Sequence, residues 1–378
     1  MSHFAAIIAS EIEGAQQTRN PIRRGFVDMK AAVLEALQKP LVVREVADPS
    51  PEPRGVVVRV EGEGICRSDW HVWMGDWEWI GLKPPLPNIM GHEMAGVVEE
   101  VGSEVKRFKK GDRVLAAIVW CCGSCEFCLI GRQNLCNNAR IGGYTDPGGY
   151  GRYCMVPNAD INLVALPDSV DFVTAAAMGC RFPTAYHGLR NQARLKGGEW
   201  VAVQGCGGVG LSVVQIASAL GANVVAVDLS DEKLAKAKEL GAVATFNASS
   251  GNVPEAVQEI TKGGAHVSVD ALGIATTCLN SVLSLRKGGR HVQIGLTTAA
   301  EKGQISLPVD IMVVKELEFI GSLVDKQSCY PEMFALVESG KVDPRQLVSR
   351  TVPVEEASSV LESMTSFGTM GMVIITQW

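Results

Sequence analysis

Five of the eleven cysteines fall between Cys121 and Cys136, and four of them have the spacing of a metal-binding loop. Cys122, Cys125, Cys128 and Cys136 follow the pattern C-x-x-C-x-x-C-x7-C. Four thiolates on one loop predict a closed tetrahedral zinc, which stabilises the loop and leaves no open position for chemistry. An iron–sulfur cluster is the alternative, but the long last gap and the lack of a proline after Cys136 favour zinc. A set of ligands shifted to include the neighbouring Cys121 is a further alternative.

A glycine-rich segment, Gly205 to Gly210, lies between sequences that predict a strand and a helix. The strand is predicted over Trp200–Gln204 and the helix over Val209–Leu220. The pattern G-x-G-x-x-G is weak in a chain with forty glycines, but between a strand and a helix it is a dinucleotide-binding fingerprint. Its glycines let the backbone approach a pyrophosphate at the helix N-terminus. The predicted cofactor-binding residues here are Gly205, Gly207, Gly208, Val209 and Gly210.

The next predicted strand, Asn223–Asp228, ends in an acid. A carboxylate at this place accepts hydrogen bonds from the adenosine ribose hydroxyls and repels a 2′-phosphate. No arginine follows Asp228 closely, so the sequence favours NAD over NADP. Gly295, at the end of the predicted strand His291–Gly295, is also assigned to the cofactor site. The alternative interpretation is a tight turn followed by an incidental surface acid.

A second set of metal-binding residue types lies nearer the start of the chain, in Cys66–His71 and Gly91–Glu93. One cysteine and one histidine this far apart would ordinarily be two unrelated buried residues. Here a serine, a second histidine and a glycine-framed His-Glu pair accompany them. A catalytic zinc takes three protein ligands and keeps a fourth position open. The sequence supplies Cys66, His92 and, at the junction with the nucleotide-binding half, Cys180.

The two halves of the chain differ in their predicted secondary structure. From Met29 to about Cys180 the sequence predicts short strands separated by turns, with almost no helix. From Trp200 onward, predicted strands alternate with predicted helices, which is typical of a doubly wound parallel sheet. The fold class is therefore α/β, a mainly-β domain plus a doubly wound parallel-sheet domain. A helix over Tyr330–Ser339 and a strand over Gly371–Thr376 are predicted near the C-terminus.

Composition limits the possible partners. The chain has 378 residues, 47% of them hydrophobic, and a formal charge of −6. It has no basic patch for nucleic acid, and its apolar stretches are too short to span a bilayer. The residues before Met29 make a poor secretory signal, so we expect an extension over residues 1–28 of a soluble, cytoplasmic protein. The expected partners are a small-molecule substrate and further copies of the chain, in a homo-oligomer (dimer or tetramer).

Taken together, these motifs resemble the zinc-dependent alcohol dehydrogenases of the medium-chain dehydrogenase/reductase superfamily. The resemblance covers Met29 to near the end of the chain, and it rests on Cys66–His71, Gly91–Gly96, the four-cysteine segment and the glycine loop, in the expected order. It implies NAD and two Zn²⁺ per chain, one catalytic and one structural. It also implies a GroES-like catalytic domain over residues 29–181, a Rossmann NAD-binding domain over 182–324, and a return to the catalytic domain over 325–378.

The resemblance also implies a role for each residue of the metal site. Cys66, His92 and Cys180 are expected to bind the catalytic zinc, with Glu93 just behind the metal and Asp69 orienting His92.

Four further roles follow from the same resemblance. Ser68 is expected to take the substrate proton and His71 to pass it towards solvent, while Arg67 contacts the cofactor pyrophosphate and Lys233 lies near the adenosine ribose. The chain departs from the family after Gly321-Ser322. A few residues on, the family often has an arginine, whereas this chain has Asp325, Lys326 and Gln327.

The predicted function is interconversion of an apolar primary or secondary alcohol with its aldehyde or ketone. Zinc lowers the pKa of the bound alcohol, and the resulting alkoxide transfers a hydride to the nicotinamide ring. The hydroxyl of Ser68 and the imidazole of His71 suit a proton relay. An ordinary surface histidine is the alternative interpretation of His71.

Several tryptophans lie near these motifs. The segment after Cys66, predicted to be a loop, contains Trp70, Trp73, Trp77 and Trp79. Trp120 precedes the four-cysteine segment. Tryptophans this dense usually pack domain surfaces, but Trp77 and Trp120 are by position the better candidates for walls of a substrate pocket. Such a lining favours a slender apolar alcohol over a sugar.

Two other functions stay open. A polyol dehydrogenase on the same scaffold uses Glu93 as a zinc ligand in place of the second cysteine, and Cys180 argues against it. A non-catalytic, zinc-stabilised NAD-binding protein needs only the four-cysteine zinc, so Ser68 and His71 argue against it. Metal content separates the non-catalytic scaffold from an enzyme, since the scaffold needs one zinc per chain and the enzyme needs two.

Overall fold

The computed structural model describes residues 28–298, 300–366 and 369–378. The extension predicted over residues 1–28 lies outside the described residues except for its last one. The chain divides into two compact units. The first contains the described residues up to Cys180 together with Lys326–Phe334 and Val348–Trp378, and the second contains Arg181–Asp325 and Ala335–Leu347.

The strands are β1 (Asp28–Leu34), β2 (Val42–Ala47), β3 (Val56–Ile65), β4 (Asn88–Ile89), β5 (Met94–Val101), β6 (Arg113–Ala116), β7 (Tyr153–Val156), β8 (Leu163–Ala165), β9 (Trp200–Gln204), β10 (Asn223–Asp228), β11 (Ala244–Asn247), β12 (Ala265–Asp270), β13 (Leu285–Gln293), β14 (Glu318–Gly321), β15 (Val348–Pro353) and β16 (Met372–Gln377). The helices are α1 (Arg67–Met74), α2 (Glu126–Leu129), α3 (Ala159–Asn162), α4 (Phe172–Ala177), α5 (Arg181–Tyr186), α6 (Gly208–Ala219), α7 (Asp231–Glu239), α8 (Val253–Thr261), α9 (Ala275–Leu283), α10 (Val309–Lys315), α11 (Tyr330–Glu338) and α12 (Ala357–Met364).

The first unit is built on two sheets. One has the strand order β2-β1-β4, and the other has the order β15-β16-β3-β5-β6-β8, with β7 also paired to β3. Val56, Val58 and Val60 occupy alternate positions of β3 and are buried on one face with Val98 of β5, because successive side chains of a strand point to opposite faces. They form the core of this unit with Met94, Phe108 and Leu163. The sheet thus holds the ends of β3 and the start of β5 in fixed places.

The prediction of a loop after Cys66 was wrong, because Arg67–Met74 form helix α1. Cys66 has an extended backbone at the N-cap, and its N–H donates to the carboxylate of Asp69 (2.8 Å). Gly75 ends the helix with φ +74°, a left-handed conformation that glycine adopts without strain. A cysteine N-cap is not a usual start signal, and the tryptophans obscure the helical period. The helix turns Ser68 and His71 towards the same face.

The second unit contains one parallel sheet with the order β11-β10-β9-β12-β13-β14. The predicted doubly wound sheet is therefore confirmed. Strand order reverses between β9 and β12, and ligands of such sheets bind at the carboxyl ends of the strands at this point. The valines of β9, β10 and β12 are buried because helices cover both faces of a parallel sheet.

The connections after β9 and β10 follow the predicted pattern. The glycine loop leaves the end of β9 and enters helix α6, which begins at Gly208. Helix α7 begins with Ser230 at its N-cap, whose side chain accepts a hydrogen bond from the backbone N–H of Lys233. Among the described residues, no helix has both the length and the apolar character needed to span a bilayer.

Candidate active site

Four buried residues of the first unit bring metal-binding atoms together. One ligand atom from each of Cys66, His92, Glu93 and Cys180 lies within 4.8 Å of the others. The sulfur atoms of Cys66 and Cys180 are 3.9 Å apart. Two thiolates on a tetrahedral zinc, with zinc–sulfur distances of about 2.3 Å, stand roughly 3.8 Å apart, so this group fits such an ion. We call these four residues the catalytic metal group.

The residues of the catalytic metal group lie at or next to the ends of secondary-structure elements. Cys66 follows β3 and caps α1, His92 lies between β4 and β5, and Cys180 follows α4. Strand β3 pairs with β5, and α4 packs on both of these strands. The positions of the ligand atoms are therefore set by the sheet rather than by a mobile loop.

Asp69 holds the histidine of this group. Its carboxylate is fully buried and accepts hydrogen bonds from the Nδ1 of His92 (2.9 Å) and the backbone N–H of Cys66 (2.8 Å). The hydroxyl of Tyr150 donates a third bond to it (3.0 Å). Because Nδ1 is bonded to Asp69, the Nε2 of His92 is left to bind a metal. Burial lowers the pKa of His92, but the charge and hydrogen bond of Asp69 outweigh it, so the net pKa is raised.

Glu93 lies in a space that only glycines leave open. A Cβ added to Gly64 would overlap the carboxylate of Glu93, and one added to Gly179 would lie 2.7 Å from its Cα. The backbone N–H of Glu93 donates to the carboxylate of Glu63 (2.8 Å), a buried acid that sequence reasoning missed. Burial raises the pKa of Glu63 well above its usual value. An acid on an alternating strand gives no local signal of this contact.

Ser68 and His71 lie on α1 beside the catalytic metal group. His71 is only 8% exposed, which excludes an ordinary surface histidine. Its Nδ1 is 2.7 Å from the carboxylate of Asp76, and its ring stacks on Trp77 at 4.9 Å. Burial lowers the pKa of His71 and the charge of Arg67 adds to this, while the bond to Asp76 opposes it. The imidazole is therefore neutral at pH 7 and can accept a proton.

A tyrosine that sequence reasoning missed lines the same region. The ring of Tyr144 stands 5.3 Å from that of His92 and 6.2 Å from that of Trp77. Burial and the charges of nearby acids and thiolates raise the pKa of its phenol, while a hydrogen bond with Ser68 opposes this shift. Tyr144 follows two glycines, and nothing in that local sequence indicates where its ring lies. Trp120 packs in the hydrophobic core of the first unit, and its assignment to a pocket wall stays a prediction.

The four-cysteine segment brings its sulfur atoms together. The sulfur atoms of Cys122, Cys125, Cys128 and Cys136 all lie within 4.8 Å of one another, with neighbours 3.4 to 4.0 Å apart. Although burial raises the pKa of Cys122, hydrogen bonds from Ser124 and Cys125 outweigh it and lower the pKa to about 5. These N–H donors favour the thiolate form that a metal requires. The group fits a closed tetrahedral zinc.

In the second unit, the glycine loop has the geometry that a dinucleotide requires. Gly205 has φ +90°, and a Cβ on Gly210 would overlap the carbonyl oxygen of Gly205. Helix α6 therefore packs directly against the end of β9. Nothing lies within 4 Å of a Cβ added to Gly207, which leaves open space beside the backbone for a ligand. The carboxylate of Asp228 accepts hydrogen bonds from the backbone N–H groups of Cys206 (2.7 Å) and Ser230 (2.9 Å).

The remaining predicted cofactor residues have varied surroundings. Lys233 lies in the first turn of α7 and Val209 in the first turn of α6. Gly295 approaches the backbone of Gly273 too closely for a side chain. The guanidinium of Arg67 stacks over Trp70 at 3.7 Å and donates to the carbonyl of Met364, and burial lowers its pKa to about 10. Its contact with a pyrophosphate stays a prediction.

The residues that depart from the family have partners within their own units. Asp325 lies 3.2 Å from the Nδ1 of His187. Gln327 donates to the carbonyl of Val119 (3.2 Å) and to the side chain of Asn162 (3.4 Å). The side chain of Gln327 thus braces the segment next to the four-cysteine group.

Two family models match the chain, one described as an alcohol dehydrogenase GroES-like domain over residues 52–168 and one as a zinc-binding dehydrogenase over residues 208–339. An alcohol dehydrogenase from Geobacillus stearothermophilus is 38% identical over 350 residues, 92% of this chain and 99% of the relative. An NAD-dependent alcohol dehydrogenase from Sulfurisphaera tokodaii is 32% identical over 355 residues, with coverage of 92% and 99%.

A solved structure leads to the same family. The alcohol dehydrogenase TADH from Thermus sp. ATN1 superposes with a TM-score of 0.85 at 31% identity, covering 93% of this chain and 100% of that one. The chain therefore belongs to the zinc-dependent alcohol dehydrogenases of the medium-chain dehydrogenase/reductase superfamily.

Two glycine substitutions should separate folding from cofactor binding. Gly210→Ala should lower the free energy of unfolding by about 1–3 kcal/mol, because its Cβ overlaps Gly205. Gly207→Ala should leave that free energy unchanged, since Gly207 has φ −82° and open space, yet weaken NADH binding by filling that space. Chemical denaturation and fluorescence titration with NADH measure both effects. Equal destabilisation by the two variants would contradict this interpretation of the loop.

Proposed function

We propose that this chain is a zinc- and NAD-dependent alcohol dehydrogenase in which Cys66, His92 and Cys180 hold the catalytic zinc. The observation that carries the proposal is the buried pair of sulfur atoms 3.9 Å apart beside a histidine whose second ring nitrogen is bonded to a carboxylate. When bound, zinc supplies a Lewis acid for the substrate oxygen and NAD supplies the hydride acceptor. The reaction class is interconversion of an alcohol with its carbonyl partner.

A second zinc is proposed at Cys122, Cys125, Cys128 and Cys136. Four thiolates fill all positions of a tetrahedral ion, so this site has no place for a substrate. Its contribution is to fix the segment that contains α2, which has only four residues and buries Cys128 alone. A short segment of this kind has too little apolar surface to order itself without a metal.

The proton path is proposed to run through α1. Ser68 and His71 are three residues apart on this helix, so their side chains share one face. The hydroxyl of Ser68 holds the substrate proton, and the neutral imidazole of His71 accepts it from Ser68. Asp76 orients His71 through its Nδ1 and stabilises the imidazolium that forms. In the reverse reaction, the same groups return the proton.

An aromatic lining is proposed to select the substrate. Trp77 and Tyr144 are buried and flank His71 and His92, so they present apolar surface next to the catalytic metal group. Apolar walls with few polar groups suit a slender apolar alcohol or aldehyde rather than a sugar. The polyol alternative keeps one supporting observation, because a carboxylate oxygen of Glu93 belongs to the same metal-binding set.

The function is tested by counting zinc and measuring turnover on one sample. Protein purified without chelator should contain two zinc ions per chain and form NADH from apolar alcohols in preference to polyols. Cys180→Ala should remove one zinc and abolish turnover. Cys278→Ala, a control at a buried cysteine of the second unit, should change neither. One zinc and no turnover in the unmodified protein would instead support the scaffold, and turnover of polyols alone would support the polyol enzyme.

Removal of the relay imidazole should produce a pH-dependent loss. His71→Ala should slow alcohol oxidation by roughly tenfold to a hundredfold at pH 6 and only a few-fold at pH 9. The lowered pKa of His71 leaves more of its imidazole neutral and able to accept a proton at acidic pH than an ordinary histidine would have, whereas the variant depends on hydroxide, which falls tenfold per pH unit. The measurement is a pH–rate profile, with His266→Ala as the control. A loss of the same size at every pH would exclude the relay role.

Two expectations from the sequence stay proposals. A homo-oligomer is supported by exposed apolar side chains of the second unit, which include Val313 and Val314 of α10 and Phe319 of the edge strand β14. The molecular mass in solution decides that point, and localisation in cells decides the expectation of a cytoplasmic protein.

A further inference from the structure

A chain of hydrogen bonds joins the carboxyl ends of two neighbouring strands in the second unit. Gln293 ends β13, and its side-chain Nε2 donates to the carboxylate of Asp270 (2.9 Å), which ends β12, and to the backbone carbonyl of Gly295 (2.7 Å). The same carboxylate accepts from the backbone N–H groups of Leu272 (3.0 Å) and Gly273 (3.2 Å). One side-chain amide thus holds the segments that follow both strands.

The direction of the Gln293 amide is fixed from its other side by His291. The carboxylate of Asp270 and the carbonyl of Gly295 are both acceptors, so the amide turns its NH₂ group towards them and its oxygen towards the imidazole. The Nε2 of His291 lies 3.0 Å from that oxygen and therefore carries the imidazole proton. Its Nδ1 is then an acceptor, and the hydroxyl of Ser281 donates to it (3.0 Å).

Burial makes this arrangement of donors and acceptors specific. Asp270, Ser281 and His291 are at most 1% exposed. Burial also lowers the pKa of His291 to about 4, while the hydrogen bond with Gln293 opposes this shift, so the imidazole is neutral at pH 7 and has a single proton. Because a buried polar group without a partner costs free energy, only one orientation of the Gln293 amide satisfies every group around it.

The two segments that this amide holds lie at the edge of the sheet beside the glycine loop. A Cβ added to Gly205 would lie 2.6 Å from the Cγ of Leu272, and one added to Gly295 would lie 2.3 Å from the backbone nitrogen of Gly273. A doubly wound sheet binds a dinucleotide at the carboxyl ends of its strands, with one mononucleotide on each half. Asp228 lies in the half with β9 to β11, whereas Gly273 and Gly295 follow strands of the half with β12 to β14.

We infer that Gln293 positions the backbone of Gly273 and Gly295 to bind the nicotinamide mononucleotide half of the cofactor. The inference rests on the proposed NAD-dependent function and adds a positioning residue that none of the sequence motifs includes. Gln293 acts through these backbone segments rather than by touching the cofactor. Its amide keeps the two segments at one separation, on which the nicotinamide half of the cofactor depends and the adenosine half does not.

The test compares NADH with adenosine monophosphate (AMP) on the full-length protein. Gln293→Glu keeps the length of the side chain but replaces its N–H donors with an acceptor that faces Asp270 and Gly295. NADH should bind about tenfold more weakly, while the affinity for AMP, which lacks the nicotinamide half, should change by less than about twofold. Thr261→Val, which removes a buried hydroxyl with two backbone hydrogen bonds before the start of β12, is the matched control and should change neither affinity.

Calorimetry gives both dissociation constants, and thermal melting shows whether each variant is folded. Equal affinities of Gln293→Glu and the unmodified protein for NADH would overturn the inference. So would a loss of the same size for AMP, because Gln293 would then support the fold of the whole unit. If Gln293→Glu does not fold, Gln293→Met, which removes the donors without adding a charge, decides by the same two affinities, and failure of both variants to fold overturns the inference. Failure of the unmodified protein to bind NADH would reject the proposed function itself, together with this inference.

Discussion

The carboxylate of Asp69 ties together the chain segments that form the catalytic metal group. It is fully buried, and its two oxygens accept hydrogen bonds from Cys66, His92 and Tyr150. One of these bonds starts α1, another fixes the ring of His92 in the catalytic metal group, and the third anchors the segment before β7. A buried carboxylate without such donors would be strongly destabilising. The same bonds therefore stabilise the unit and orient the residues of the catalytic metal group.

Close backbone approaches set a second constraint on both units. Gly64 and Gly179 leave the space that Glu93 occupies behind His92, and Gly205 and Gly210 allow α6 to pack on the end of β9. A methyl group at any of these positions would meet another atom at less than van der Waals distance. Glycines at these positions therefore allow the close backbone packing on which both sites depend. In the first unit, the side chain of Glu93 fills the space that two of these glycines leave.

The sequence predicted the bounds of elements correctly where a local pattern of residues determines them. Strands β9 and β10 begin and end where their β-branched runs predict, and Ser230 caps α7 as its position indicates. Helix α1 was missed because a cysteine is an unusual N-cap residue, although the carboxylate of Asp69, three residues further on, completes the cap. Residue type and position suggested Cys66, His92 and Cys180 as metal ligands, and the family resemblance supported the set, since Cys66 and Cys180 are far apart in sequence and no local signal pairs them.

Other parts of the site depend on contacts that no sequence spacing encodes. Asp76 follows His71 by five residues, outside the helix that holds it, so helical periodicity does not join them. Tyr144 and Glu63 reach the catalytic metal group from separate strands and loops. The contacts of such polar and aromatic residues can be recognised only in the folded structure, where elements distant in sequence lie side by side.

The most direct test of this account is the zinc affinity of Asp69→Asn, measured by chelator competition on protein loaded with zinc. If the charge of Asp69 holds His92 in its metal-binding orientation, one of the two zinc ions should bind about 10- to 100-fold more weakly while the other is unchanged. Asp168→Asn, at an exposed carboxylate of the same unit, should bind both ions as the unmodified protein does. Two zinc ions of unaltered affinity in Asp69→Asn would contradict the account.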